Sequence, residues 1–443
     1  MSIRSFYLIA STLYLVAQTS YAIDNRIDQI RSDAPELATY GQYQVGITTR
    51  HLLHRQQADI IHAKSGEITP LYDRPLTLEI WYPAILKTNQ VPEGQYQTLL
   101  RDGKTEVTLK GRALRDASPD RRDASYPLVI VSHGYPGNRF LLSHLTENLA
   151  SKGYVVVAID HTDSTFHDLN AFSSTLLNRS LDQLFVLNEM ARISQQHHDD
   201  ILSHLINTDQ TALIGYSMGG YGVINTIGGG LTDDIVNSAI VPNAALNIRQ
   251  SGRPEYQASI DPRIKAAVAF APWGWNKGLW NAQGLATIKT PVFFIAGSAD
   301  DVSGYSPGVR NIFESTANAD RYLLTFEHAN HNAGAPIPAP VEAWQALPDL
   351  KRIPAETYID AVWDNTRMNN ISQHFVTAFL GKYLKKNTDM SSYLALTEYA
   401  QNGKWSTDSE GNTTAEHTYW KGFPQRTAVG LRLEFLPAVE IRP

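Results

Sequence analysis

Ser217 is the residue of this chain best set to act as a nucleophile. It stands in Gly215-Tyr216-Ser217-Met218-Gly219, directly after the apolar run 211–214 and before 220–227, which has the pattern of a helix packed on a sheet. A strand–turn–helix passage of this kind is so tight that the serine backbone is strained. Small residues two places to either side keep neighbouring chain from colliding. The hydroxyl is pushed above the sheet, and the next N–H, that of Met218, is aimed at a bound carbonyl oxygen. Taken alone, the run also suits a glycine-rich turn that binds phosphate on a helix N-terminus. The remaining chemistry of the chain separates the two.

A serine hydroxyl is a poor nucleophile until a base removes its proton, and that base needs an orienting carboxylate. After the apolar run 292–296 comes Gly297-Ser298-Ala299-Asp300-Asp301-Val302. Asp300, three residues past the glycine, fits the orienting acid, with Asp301 as the alternative; a turn or helix-capping aspartate is the bland reading. After the run 323–326 comes Glu327-His328-Ala329-Asn330-His331-Asn332-Ala333-Gly334, in which His331 fits the base and His328 is the alternative. A second oxyanion donor is expected from the loop after an early strand. Ser132-His133-Gly134-Tyr135-Pro136-Gly137 sits there, so the Tyr135 N–H pairs with that of Met218, and His133 is read as structural support. Asp160-His161-Thr162-Asp163 with His167-Asp168, and His197-His198-Asp199-Asp200, are rich in metal-ligating types. Neither has the spacing of a recognised zinc or calcium site, and the expectation is no metal.

The elements that must position these residues follow from periodicity. The stretch 76–82 alternates as a strand and closes at Tyr82-Pro83, and 107–109 suits another. From Pro127 the rhythm is strand then helix: strands at 128–132, 154–159, 211–214, 264–270, 292–296 and 323–326, with helices at 141–151, 176–195, 220–227 and 370–385. Such alternation predicts an α/β fold with a mostly parallel central sheet and helices on both faces, whose ligands bind at the carboxyl ends of the strands. The charged loop 112–125 is expected to be solvated surface. The stretch 228–261 is too long for a simple connection and is expected to form a lid or wall over the site, and 336–354 is proline-rich and irregular.

Together these motifs resemble the α/β-hydrolase superfamily, and more narrowly its exported dienelactone-hydrolase-like and platelet-activating-factor-acetylhydrolase-like esterases. The resemblance rests on Ile80-Trp81-Tyr82-Pro83-Ala84, the Ser132–Gly137 loop, Gly215-Tyr216-Ser217-Met218-Gly219-Gly220 and Gly297-Ser298-Ala299-Asp300. It implies the α/β-hydrolase fold and a Ser217–His331–Asp300 triad. Two departures stand out. Dienelactone hydrolases use cysteine, which this chain lacks, and the acetylhydrolases place their acid one strand earlier, where this chain has Ala271-Pro272-Trp273. That Ala-Pro-Trp, with Gly134-Tyr135 and Ser217-Met218-Gly219-Gly220, also looks like bacterial cutinases and poly(ethylene terephthalate) hydrolases. This second likeness implies Tyr135 and Trp273 as walls against the ester, with core packing as the alternative for Trp273.

The 443 residues are 19% charged and 43% hydrophobic, a globular composition. A net charge of −6 with no long basic run gives no reason to expect a nucleic-acid partner. Arg4, the apolar core 6–17 and Ser20-Tyr21-Ala22 make 1–22 a signal peptide, too short in its apolar part for a span of about 20 residues. The expectation is export to the periplasm or medium, a mature start at Ile23 and no stable membrane insertion afterwards. With no cysteine there is neither a disulfide nor a thiol nucleophile. The expected organisation is a lead-in segment 23–75, a hydrolase domain 76–386 and a C-terminal extension 387–443. The expected activity is hydrolysis of small-molecule or polymeric carboxylic esters with no cofactor. A polyester hydrolase, a peptidase or acyltransferase on the same triad, and a non-catalytic binding protein are the rivals.

Overall fold

The computed structural model describes residues 24–87, 90–195 and 200–439. The segment 1–22, expected to be a signal peptide, and His197, His198 and Asp199 lie outside the described residues. The chain first lays down a long antiparallel pair, β1 (Gln44–Ala58) and β2 (Leu71–Ile85). A separate hairpin follows, β3 (Gly94–Leu99) with β4 (Glu106–Gly111), then two short edge additions, β5 (Leu114–Arg115) and β6 (Ser118–Pro119). The alternating part comes next: β7 (Tyr126–Ser132), α1 (Ser143–Ser151), β8 (Val155–Asp160), α2 (Phe172–Gln195), β9 (Ile206–Tyr216) and α3 (Met218–Thr226). The short helices α4 (Asp233–Val236) and α5 (Pro254–Ala258) lead to β10 (Ile264–Phe270), α6 (Ala282–Leu285) to β11 (Val292–Gly297), and α7 (Arg310–Ser315) to β12 (Arg321–Phe326). The last long helix, α8 (Asn365–Tyr383), is capped by the Asp364 carboxylate on the Arg367 N–H, and β13 (Leu431–Leu436) ends the fold.

The main sheet runs β13-β12-β11-β10-β9-β7-β8-β2-β1-β5. Pairings from β8 through β12 are parallel, and the edges are antiparallel at β2 and β13. Both faces are covered, so the central strands read as continuous apolar runs rather than alternating ones. Side chains still divide by the period of two. Ala266, Val268 and Phe270 face the core under α1 and α8, and Ala267 and Ala269 face the core under α2, α3 and α7.

The sheet crosses both expected domain boundaries. The segment 23–75, read as a lead-in, carries β1, which pairs with β2 from Gln44 opposite Ala84 to Ala58 opposite Leu71. Its outer half is polar and exposed, so the sequence offers no sustained alternation there. The segment 387–443, read as an extension, supplies β13 against β12 and lays Trp420 and Phe423 on Phe375 of α8, with ring centroids 5.7 and 5.8 Å apart. The loop 112–125 is not all solvated: Ala113, Ala117 and Asp120 are buried, and the Tyr126 hydroxyl donates to the Asp120 carbonyl.

Candidate active site

β7 is the switch point of the sheet. The chain leaves it through α1 to β8 on one side and returns through α2 to β9 on the other, so the loop after β7 and the turn after β9 border one crevice. Their register is direct, with Ser132 opposite Gly215. The turn after β9 holds Ser217 at φ 54° and ψ −111°, a conformation that costs on the order of 1–3 kcal/mol and persists only where surroundings enforce it. Two glycines allow the turn. A Cβ on Gly215 would stand 2.2 Å from the Gly219 carbonyl oxygen, and one on Gly219 would stand 2.1 Å from that of Ser132.

Ser217 Oγ lies 2.9 Å from His331 Nε2, and His331 Nδ1 lies 3.0 Å from both oxygens of Asp300. These contacts require a proton on Nδ1 and leave Nε2 to accept from the serine. Burial by itself would raise the Asp300 carboxyl. The hydrogen bond and charge of His331, with the N–H groups of Val302 and Ser303 at 2.9 and 2.8 Å, bring it below the ordinary carboxylate range instead. Asp301 and His328, the neighbouring candidates, are exposed; Asp301 stands at the cavity rim, and His328 adopts φ 66° in its turn. Asn330 N–H donates to Asp360, and Asn332 donates to the Glu356 and Ile359 carbonyls, which pins the His331 loop on both sides. The Tyr216 hydroxyl closes the frame on Asn332 Oδ1 at 2.8 Å, its ring 5.2 Å from the His331 imidazole.

Gly134 crosses directly over the serine, where an added Cβ would meet Ser217 Cβ at 3.5 Å. Ser217 N–H is used by the Phe270 carbonyl. Among the described residues the Met218 and Tyr135 N–H groups have no acceptor within the protein; Met218 follows the serine in the chain, and Tyr135 follows Gly134, which lies against it. Beneath them the loop is tied down. His133 Nδ1 donates to the Gly134 carbonyl at 2.7 Å, and the Arg179 guanidinium donates to the carbonyls of both His133 and Gly134.

A cavity of about 640 Å³ opens on Ser217 and His331. Tyr135, Pro136 and Leu141 form one side, and 350–361 forms the other, with Arg101 entering from the turn of the β3–β4 hairpin. The insertion 228–261, expected as a lid or wall, contributes none of the lining residues. It packs behind α3, with the Tyr256 hydroxyl on the Asn225 carbonyl and Arg249 on Ser180. Its length serves the helical layer rather than the site, and the irregular stretch after 336 takes the role expected of it. Of the two expected substrate walls, Tyr135 lines the cavity and Trp273 does not. Trp273 packs edge-to-face on Phe172 at 5.4 Å, and Phe172 in turn on Tyr135 at 5.0 Å. Arg101, Tyr216, Asn332 and Asp360 escaped the sequence reading; only Asn332 and Tyr216 carried a signal, as neighbours of His331 and Ser217.

Four of the residues weighed as metal ligands have side-chain partners within the protein. Asp160 pairs with Arg139, Asp163 with Arg74, and Asp200 with Arg50. His161 Nδ1 bonds Asp182 at 2.9 Å, and its Nε2 bonds Ser132 Oγ at 2.9 Å. Ser132–His161–Asp182 thus repeats the bonding order of Ser217–His331–Asp300. It is sealed under the β7 loop, with Ser132 0% exposed, and no substrate reaches it.

The chain has the α/β-hydrolase fold. A ferulic acid esterase from Streptomyces cinnamoneus superimposes with a TM-score of 0.53 at 18% identity, covering 80% of this chain and 94% of that one. Residues 84–200, which hold β7 to α2, match the family described as platelet-activating factor acetylhydrolase, isoform II. Cutinase est1 of Thermobifida alba is 25% identical over 214 residues, 48% of this chain and 56% of that protein. A platelet-activating factor acetylhydrolase of Cavia porcellus is 24% identical over 297 residues, 58% of each. The matches therefore span little more than half the length of these relatives.

Proposed function

We propose that this α/β-hydrolase-fold protein, similar to cutinases and platelet-activating factor acetylhydrolases, is a serine hydrolase of carboxylic esters. The observation that carries the reading is the unbroken Asp300–His331–Ser217 chain of hydrogen bonds opening on a cavity beside two backbone N–H groups without acceptors. Ser217 Oγ attacks the ester carbonyl while His331 Nε2 takes its proton, and Asp300 holds the imidazole in the required tautomer. The carbonyl oxygen, now an oxyanion, accepts from Met218 and Tyr135 N–H, which are oriented before it forms. His331 returns the proton to the leaving alcohol. Water, deprotonated by the same imidazole, then releases the acyl group from Ser217.

Ser217→Ala should keep the fold and lose nearly all ester turnover, together with labelling by a fluorophosphonate. Turnover close to the parent's would end the reading. A polyester hydrolase is the second reading, favoured by Tyr135 at the cavity edge and by the cutinase relatives. Hydrolysis of soluble esters of graded chain length, set beside release of products from a polyester film, separates the two. A peptidase or acyltransferase would use the same residues on a different leaving group or acceptor. Export is also proposed, supported by Arg4, the apolar core 6–17 and Ser20-Tyr21-Ala22. Protein isolated from its native host should begin at Ile23, and an intact Met1 on cytoplasmic material would refute this.

A further inference from the structure

Arg179 is a cation at the bottom of the molecule's chemistry, 1% exposed, on the face of α2 turned to the sheet. No carboxylate of the described residues lies within ion-pair distance of it; Asp182, one turn on, is held by Arg74 and His161. A buried charge without a counter-ion costs several kcal/mol unless local dipoles solvate it. Here the dipoles are two consecutive carbonyls of the loop after β7, those of His133 and Gly134, with the Ser164 hydroxyl at 2.7 Å as the remaining acceptor. Burial lowers the guanidinium's pKa to about 9, which leaves it charged at neutral pH.

The Gly134 carbonyl belongs to the same peptide unit as the Tyr135 N–H. In a planar trans peptide those two groups point in opposite directions. Holding the oxygen down into the protein therefore turns the N–H up, toward the space over Ser217. Two donors hold it: Arg179 Nη2 at 2.9 Å and His133 Nδ1 at 2.7 Å. His133 is itself oriented by the His161 N–H, which donates to its Nε2 at 3.2 Å. A charge-assisted bond to a carbonyl also polarises its amide and strengthens the N–H as a donor. The position is doubly constrained, because α2 carries Arg179 and the β9 elbow packs against the same loop.

We infer that Arg179 is a positioning residue for the oxyanion hole: from beneath the loop it aims and polarises the Tyr135 N–H toward the oxygen that becomes charged in the transition state. The inference rests on the proposed roles of Ser217 and Tyr135. It assigns a part in the reaction to a residue that touches no substrate, and it predicts an effect on the transition state rather than on substrate binding.

The experiment compares Arg179→Lys and Arg179→Met with the parent in steady-state hydrolysis, in inhibition by an alkyl boronic acid that forms a tetrahedral adduct on Ser217, and in urea unfolding. Lysine keeps the charge but reaches fewer carbonyls, and methionine keeps the stem alone. In Arg179→Lys, kcat should fall roughly tenfold with KM within about twofold, and in a folded Arg179→Met roughly a hundredfold, the scale of a lost oxyanion donor. The boronate inhibition constant should rise by the same factor as kcat falls. A residue that only staples α2 to the loop would shift the unfolding midpoint and leave kcat and boronate affinity near the parent's, which overturns the inference. Loss of cooperative folding in Arg179→Lys would overturn it as well, by making the residue a determinant of the fold. Ser217→Ala measured alongside keeps two failures apart. If it stays active the nucleophile reading falls; if it is dead while Arg179→Lys is fully active, this inference alone falls.

Discussion

At the scale of single residues the site turns on which of two neighbours faces the imidazole and which of two histidines faces the serine. Successive side chains leave a loop in different directions, so one carboxylate is aimed and the next is not. Asp300 is buried, bonded to His331 and to two N–H groups, whereas Asp301 is exposed at the cavity rim. His331 touches Ser217, and His328 is exposed in a turn with its N–H on Ser298 Oγ. Asp300→Asn and His331→Ala should each lower kcat by on the order of 10³-fold or more. Asp301→Asn and His328→Ala should lower it by roughly tenfold or less. Steady-state kinetics on one soluble ester decides this; a crippling Asp301→Asn or His328→Ala with a mild partner change would reverse the assignment at that position.

At the scale of elements, the parts that look peripheral in the chain are built into its centre. β13 completes the sheet beside β12 and carries Glu434, which takes a two-pronged pairing from Arg310 at 2.8 and 3.0 Å. The preceding loop buries Trp420, whose indole N–H donates to the Thr397 carbonyl. Removal of 387–443 would bare the apolar face of α8 and leave β12 as an open edge, a template for aggregation. A chain ending at residue 386 should be insoluble, and recovery of soluble protein with cooperative unfolding would contradict this. The milder Trp420→Ala should cost about 3–5 kcal/mol in urea unfolding, as expected for a large buried ring that leaves a cavity. Its turnover per folded molecule should stay near the parent's, because Trp420 is not among the residues that line the cavity at Ser217.

Across the whole molecule, neutral histidines are stored where water cannot reach them. Burial lowers His144 and His161 to about 4 and His374 to about 3, and it holds His133 well below its ordinary value. An unfolded histidine titrates near 6.5. With folded values depressed, the unfolded state binds the extra protons, so this contribution is fully present above about pH 6.5 and is lost as pH falls toward about 4. Each histidine contributes up to about 1.4 kcal/mol per pH unit in that window, so the four together contribute at most roughly 6 kcal/mol per pH unit. The urea midpoint should therefore drop steadily from pH 7 to pH 5 with net proton uptake on unfolding. A flat midpoint over that range would mean that these imidazoles are protonated in the folded protein.

The sequence by itself determined what is local and contiguous. The strained turn at Ser217 needs only five residues in a row, two of them glycines that nothing larger can replace. Asp300 and His331 were legible because each follows an apolar strand within a few residues, and parallel strands bring their carboxyl ends to one edge. Tertiary structure decided everything that depends on access and on partners far along the chain. Ser132–His161–Asp182 and Ser217–His331–Asp300 have the same residue types and the same bonding order, and only the loop over the first and the cavity over the second tell them apart. The cavity wall at 350–361 has no periodicity to read, because its backbone is held by Asp360 and Asn332 rather than by a regular ladder. β1 and β13 find their places through pairing with strands already set, a choice no local pattern records. Arg179 left a trace, since Ser174, Asn178, Arg179, Asp182 and Gln183 recur at helical spacing on one face of α2. That such a polar stripe is buried, and that it ends on the carbonyls beneath Tyr135, follows only from the packing of α2 against the loop after β7.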